Sequence, residues 1–139
     1  MRRALLLTIP IALAACEAYP RIVTLIRLPA GMKAPASALR LEQDARCEKG
    51  KPPSFEVRQP DQLEVKPDGF EITMGTRIGG HADVCLRALV DLNGNGKPDR
   101  GEAVGELSPA PFEAVDRGGG LGCGSNLNPT PPIQLKRVE

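Results

Sequence analysis

Alternating apolar runs punctuated by glycine and proline predict an all-β chain folded as an antiparallel β-sandwich. Three observations carry this reading. The 139 residues include 15 glycines and 14 prolines, about a fifth of the chain, which leaves little room for long helices. Stretch after stretch alternates apolar and polar side chains at period two, as strands do when one face is buried. Turn signals separate these stretches, and about seven to nine short strands around one core suit a sandwich. One domain is the expectation for this length. With no Trp, one Tyr and three Phe, the core must be mostly aliphatic.

The chain opens with a targeting segment, residues 1–15. Met1-Arg2-Arg3 is a basic start, and Ala4 to Leu13 form an apolar run of about ten residues. A bilayer span needs about twenty, so this is a signal peptide rather than a membrane helix. The run ends in Leu13-Ala14-Ala15-Cys16, which resembles the lipobox of bacterial lipoproteins. That resemblance implies cleavage before Cys16, a diacylglycerol on its sulfur and acylation of its amine. Several acyl chains anchor a protein firmly. Glu rather than Asp at position 17 resembles the sorting pattern of outer-membrane lipoproteins. The location so implied is the bacterial cell envelope, on the outer membrane facing the periplasm. Residues 16–20 form a tether reaching about 14 Å at most, so the domain, residues 21–139, is expected to sit against the membrane.

Charge adds an exclusion. The chain carries 18 basic and 17 acidic side chains, and cleavage removes Arg2 and Arg3. Such a balance offers no field that attracts nucleic acid, and the aromatic platforms of single-strand binders are missing. The expected partners are the membrane and other envelope proteins.

Arg21 to Leu28 is β-branched and stops at Pro29, so it reads as the first strand. Pro29 to Ala36 is turn-rich. Ser37 to Ala45 reads as a strand with Leu39 and Leu41 on one face, or as a short helix. Glu48 to Ser54 is a polar loop. Phe55 and Val57 then alternate with Glu56 and Arg58, Leu63 and Val65 with Glu64 and Lys66, and Phe70, Ile72 and Met74 with Glu71 and Thr73. Each run is expected to be half-buried, polar side out. Lys66-Pro67-Asp68-Gly69 suits a type I turn closing a hairpin. Ala82, Val84, Leu86, Ala88 and Val90 form the longest alternation, which marks the central strand. Ala103–Leu107 and Phe112–Asp116 are shorter strands. Arg117 to Pro132 is a glycine- and proline-rich excursion, and Ile133 to Val138 is a closing strand.

The central strand runs into Asp91-Leu92-Asn93-Gly94-Asn95-Gly96-Lys97-Pro98-Asp99-Arg100-Gly101-Glu102. Oxygen-bearing side chains stand at loop positions 1, 3, 5, 9 and 12 with glycine at 6, the spacing of a twelve-residue calcium loop. Asn-Gly pairs are also hairpin signals, but a plain hairpin does not need Asp91, Asp99 and Glu102 as well. An EF-hand has helices on both sides. Here the upstream flank alternates like a strand, Gly101 and Gly105 weaken a downstream helix, and Pro98 lacks the N–H through which paired EF-hands bond. From about Val84 to Gly105 the chain resembles the loops that join strands in prealbumin-like and surface-adhesin B-type sandwiches. The resemblance implies a fold of the immunoglobulin-like or prealbumin-like type and a structural Ca²⁺. It also implies a ligand set. Asp91, Asn93, Asn95 and Glu102 bind by side chain, Lys97 by its carbonyl, and Asp99 directly or through water.

With Cys16 lipidated, Cys47, Cys85 and Cys123 remain in an oxidising compartment, giving one disulfide and one odd thiol. Three pairings are open. If Phe112–Asp116 runs antiparallel to the central strand, the loop after it returns near Cys85, which favours Cys85–Cys123, with Cys47–Cys123 next. No Cys-x-x-Cys is present, which argues against a redox or thiolate metal site. His81 is the only histidine, and no motif supports any serine as a nucleophile. No catalytic residues are assigned, and the chain reads as a non-enzyme. The expected function is a structural or interaction module of the envelope. The alternative is a small-ligand or ion carrier using the sandwich end near the calcium loop. A hydrolase comes third.

Overall fold

The computed structural model describes residues 19–76, 81–116 and 126–139. The signal peptide, Cys16, Cys123 and most of the 117–132 excursion lie outside these residues. What is described is nearly all strand, in two sheets. The strands are β1 (Arg21–Arg27), β2 (Leu39–Asp44), β3 (Glu56–Arg58), β4 (Gln62–Lys66), β5 (Gly69–Gly75), β6 (His81–Val90), β7 (Ala103–Glu106), β8 (Phe112–Val115), β9 (Leu127–Pro129), β10 (Ile133–Gln134) and β11 (Lys136–Arg137). One sheet has the order β10-β1-β5-β4, with β9 also on β1. The other runs β11-β7-β6-β2-β3, with β8 also on β6. The all-β sandwich expected from alternation is the fold observed.

Alternation explains how the sheets meet. Ile22 and Ile26 of β1 and Phe70, Ile72 and Met74 of β5 face Ala82, Val84, Leu86, Ala88 and Val90 of β6, all buried in one cluster. At roughly 1.5–3 kcal/mol for each large aliphatic side chain removed from water, this layer is the main source of stability. Phe70 is its one fully buried aromatic. The central position of β6 is also as expected, since it pairs with β2, β7 and β8.

Two glycines are needed by close approach. Lys66 pairs with Gly69 across a two-residue turn, closing the expected β4–β5 hairpin. A Cβ on Gly69 would lie 1.9 Å from the Ile26 carbonyl oxygen of neighbouring β1, so no other residue fits. A Cβ on Gly105 would lie 2.7 Å from the Gln134 carbonyl oxygen, where the last segment crosses over β7. That crossing divides the expected Ile133–Val138 strand in two. β10 pairs with β1 in one sheet, Leu135 is buried between, and β11 pairs with β7 in the other. Both halves look identical by alternation, so the switch of sheets leaves no local mark.

Other differences have equally plain causes. Ser37–Ala45 is both of its alternatives in succession, a single 3₁₀ turn at Ala36–Ala38 and then β2. Leu127–Pro129, inside the expected excursion, pairs in parallel with β1. The β3 strand is turned over. Phe55 and Val57 were expected inside, but Val57 is 50% exposed. Leu41 pairs with Arg58 and Glu42 with Val57. Arg58 therefore shares the inner face with Leu41, and Val57 lies outside with Glu42.

The disulfide is also a correction. Cys85 bonds to Cys47, with Cα atoms 5.9 Å apart, and not to Cys123. The premise behind Cys85–Cys123 holds, because β8 does run antiparallel to β6 and brings Ala114 opposite Ala82. What it missed is the other neighbour of β6. Asp44 at the end of β2 pairs with Cys85 itself, so Cys47, three residues on, arrives first.

Candidate metal loop

Asp91–Glu102 is the connection between β6 and β7, whose last and first residues, Val90 and Ala103, are paired. Strands flank it on both sides, so it is not an EF-hand. The loop turns back on itself through its own side chains. Asp91 Oδ1 accepts from the N–H groups of Gly94 (2.7 Å) and Asn95 (3.1 Å), and Oδ2 from that of Gly96 (2.8 Å). Asn93 Oδ1 accepts from the Asn95 N–H and Asn95 Oδ1 from the Lys97 N–H, the local Asx turns that these residues favour. Gly94, Gly96 and Gly101 all have positive φ, which glycine adopts without strain.

Glu102 closes the loop. It is the only fully buried residue of the twelve, 3% exposed. Its Oε1 accepts from the Leu92 N–H (2.8 Å), with a longer contact from that of Asn93 (3.4 Å). Its Oε2 accepts from the Asp99 N–H (2.9 Å). One carboxylate thereby ties the entry of the loop to its exit. Opposite it, Asp99 Oδ2 accepts from the amide nitrogens of Asn93 (2.7 Å) and Asn95 (2.5 Å). These two amides hold the Asp99 carboxyl below its ordinary range.

Five of the six expected ligand side chains or carbonyl bearers, Asp91, Asn93, Asn95, Asp99 and Glu102, are thus joined in one hydrogen-bond network. Lys97 enters it through its N–H. Among the described residues, no three His, Cys, Asp or Glu side chains are gathered closely enough to hold a metal ion by themselves. The chemistry of the donor set still fits a hard cation, being all oxygen. Asp91 Oδ2 and Glu102 Oε2 each take a single N–H, and a carboxylate oxygen has room for two partners. The two asparagine amides fit less directly. Their nitrogens face Asp99, so they must turn over before their oxygens can serve.

Beneath the loop lies a charge cluster that spacing did not point to. A Cβ on Gly96 would stand 3.0 Å from Arg40 Cζ, so the guanidinium lies against the loop backbone. Arg40 Nε donates to Glu42 Oε1 (2.9 Å), and Arg87 donates to Glu42 Oε2. Burial pushes the Glu42 carboxyl up, but its bonds and attraction to Arg40 and Arg87 outweigh this and hold it below the ordinary range. Arg87 also covers the Phe55 ring, 4.7 Å from its centroid, a cation–π contact. The sequence signal was faint: an arginine interrupting the apolar run of β6, with a glutamate on the neighbouring strand.

No family model, curated protein or solved structure was found to match the chain.

Proposed function

We propose that this chain is a non-enzymatic module of the bacterial cell envelope, anchored by lipid on Cys16, whose 91–102 loop takes Ca²⁺ as a structural ion. The observation that carries the calcium reading is Glu102. A buried carboxylate at loop position 12, tied to both ends of a connection between adjacent strands, is where a structural cation has the most to brace. Asp91, Asn93, Asn95, Asp99 and Glu102 would hold the ion by side chain, with Lys97 adding its carbonyl. The ion would supply positive charge to three carboxylates that backbone N–H groups and two asparagine amides otherwise serve. The anchor rests on the lipobox at Cys16. No helix among the described residues is long and apolar enough to cross a membrane.

Three carboxylates suit an extracellular-type site with Kd on the order of 10⁻⁴ to 10⁻³ M. At millimolar calcium that amounts to roughly 0.4–1.4 kcal/mol of stability. The test is thermal melting of the purified chain across a calcium titration, with magnesium as control and Glu102→Gln alongside. A rise in Tm with calcium that the variant loses supports the reading. Equal responses, or none, reduce the loop to a self-bonded hairpin.

A further inference from the structure

Two side-chain amides are buried among the described residues, and they are treated in opposite ways. Asn128 of β9 is 2% exposed and fully engaged. Its Oδ1 accepts from the Val115 N–H, and its Nδ2 donates to the carbonyls of Val115, Asn126 and Arg21. Gln43 of β2 is 3% exposed, and neither its Nε2 nor its Oε1 has a hydrogen-bond partner. An unpaired buried amide costs about 1–3 kcal/mol for each group left unmade. A fold that pairs Asn128 at four points had the means to avoid this, and an apolar side chain at position 43 would suit the inner face on which Leu41 lies.

The surroundings of Gln43 give the amide a use. β3 and β4 are the edges of the two sheets on the same side of the sandwich, joined through Gln59-Pro60-Asp61. Between the sheets at this edge is a cleft of about 570 Å³, bordered by Gln43, Arg58, Gln59, Asp61, Met74 and the start of β1 at Arg21. An adjoining cavity of about 290 Å³ shares Gln43 and Arg58. The larger volume falls in the range of small-molecule sites. Arg58 is half-buried and, among the described residues, makes no ion pair or side-chain hydrogen bond. Asp61 is committed, its Oδ2 accepting from the Gly75 N–H at 2.9 Å. Gln43 and Arg58 both border the two cavities, so the amide and the guanidinium group face the same space.

We propose that this cleft binds a small molecule carrying an amide beside a single carboxylate, the chemistry of an N-acylated amino acid or of a peptide's C-terminal residue. The Gln43 amide, one donor group beside one acceptor, matches an amide C=O and N–H. Arg58 takes the carboxylate in a charge-assisted pair. The Asp61 carboxylate on the same wall disfavours a doubly charged phosphate.

The test uses N-acetyl-L-alanine and acetyl-trialanine as probes, with amide NMR shifts and calorimetry on the full chain. Saturable binding that moves residues around Gln43, Arg58 and Met74 is expected. N-acetyl-L-alanine amide, lacking the carboxylate, should bind at least tenfold more weakly. Binding of both probes indicates recognition of a terminal residue, and binding of the single amino acid alone indicates a free ligand. Gln43→Met should weaken binding at least tenfold while raising Tm by a few degrees, because it removes the unpaired amide. Arg58→Gln should weaken binding similarly and abolish its salt dependence, and serves if the first variant fails to fold. Absence of saturable shifts with either probe at millimolar concentration overturns the proposal, and so does undiminished binding by Gln43→Met.

Discussion

The 91–102 loop and the Gln43 cleft are both polar, yet one is closed upon itself and the other is left open. In the loop, each carboxylate accepts donors from within the same twelve residues, so its carboxylates are satisfied locally, while the Asp91 and Gly101 N–H groups tie its backbone to Ala38 and Val138. In the cleft, Gln43, Arg58 and Asp61 come together only because β2 pairs with β3 and the chain then crosses to β4. No neighbour in sequence satisfies the amide. A locally satisfied site stabilises the fold, whereas a site assembled by register and left unpaired costs stability until something binds it.

The largest effect expected from this contrast is at the disulfide. Cys47 lies just beyond Gln43 on the chain, and Cys85 pairs with Asp44. Replacing both cysteines by alanine releases a closure of 38 residues, for a loss of about 4 kcal/mol in the loop-entropy account. Hydrogen exchange should quicken around residues 43–58 well before it does in the loop. Equal loosening of both regions would mean that the loop is not self-contained.

Next is Glu102→Ala without calcium. It strips acceptors from the N–H groups of Leu92, Asn93 and Asp99 and should cost about 2–3 kcal/mol in denaturant melts. Gln43→Met removes a buried polar group as well, yet is expected to stabilise. Opposite signs for two buried polar positions would sharpen the comparison, and the same sign for both would break it.

The contrast also explains what could be read from the sequence. β1, β5 and β6 were legible because both their length and their alternation are strong. The loop was legible because its logic is local, with oxygen and glycine at fixed offsets. β3 was not: at three residues its alternation gives a parity without saying which face is inside, and pairing of Leu41 with Arg58 decides that. The Cys47–Cys85 bond, the divided strand at Leu135 and the Gln43 cleft fail for one reason. Each depends on which strands are neighbours, and period-two patterns are silent on strand order.

The smallest effect belongs to the charge cluster between the two regions. Glu42 is nearly buried on the outer face of β2, with Arg87 directly across on β6 and Arg40, two residues earlier on β2, lying between it and the loop backbone at Gly96. Its carboxyl lies below the ordinary range in the folded chain because the two guanidinium groups outweigh the burial that pushes it up. A group whose folded pKa is depressed contributes stability above its unfolded pKa and loses it as pH falls through the folded value. Both arginines are about a third exposed, so screening limits the contribution to about 1 kcal/mol. Glu42→Gln should therefore melt below the parent at neutral pH, and the gap should narrow as pH drops through and below the carboxylate range. Asp99, also held low, titrates in both proteins and cancels from the difference. If the gap stays constant down to acid pH, Glu42 acts through shape rather than charge, and Arg40 is then no electrostatic link between the loop and β2.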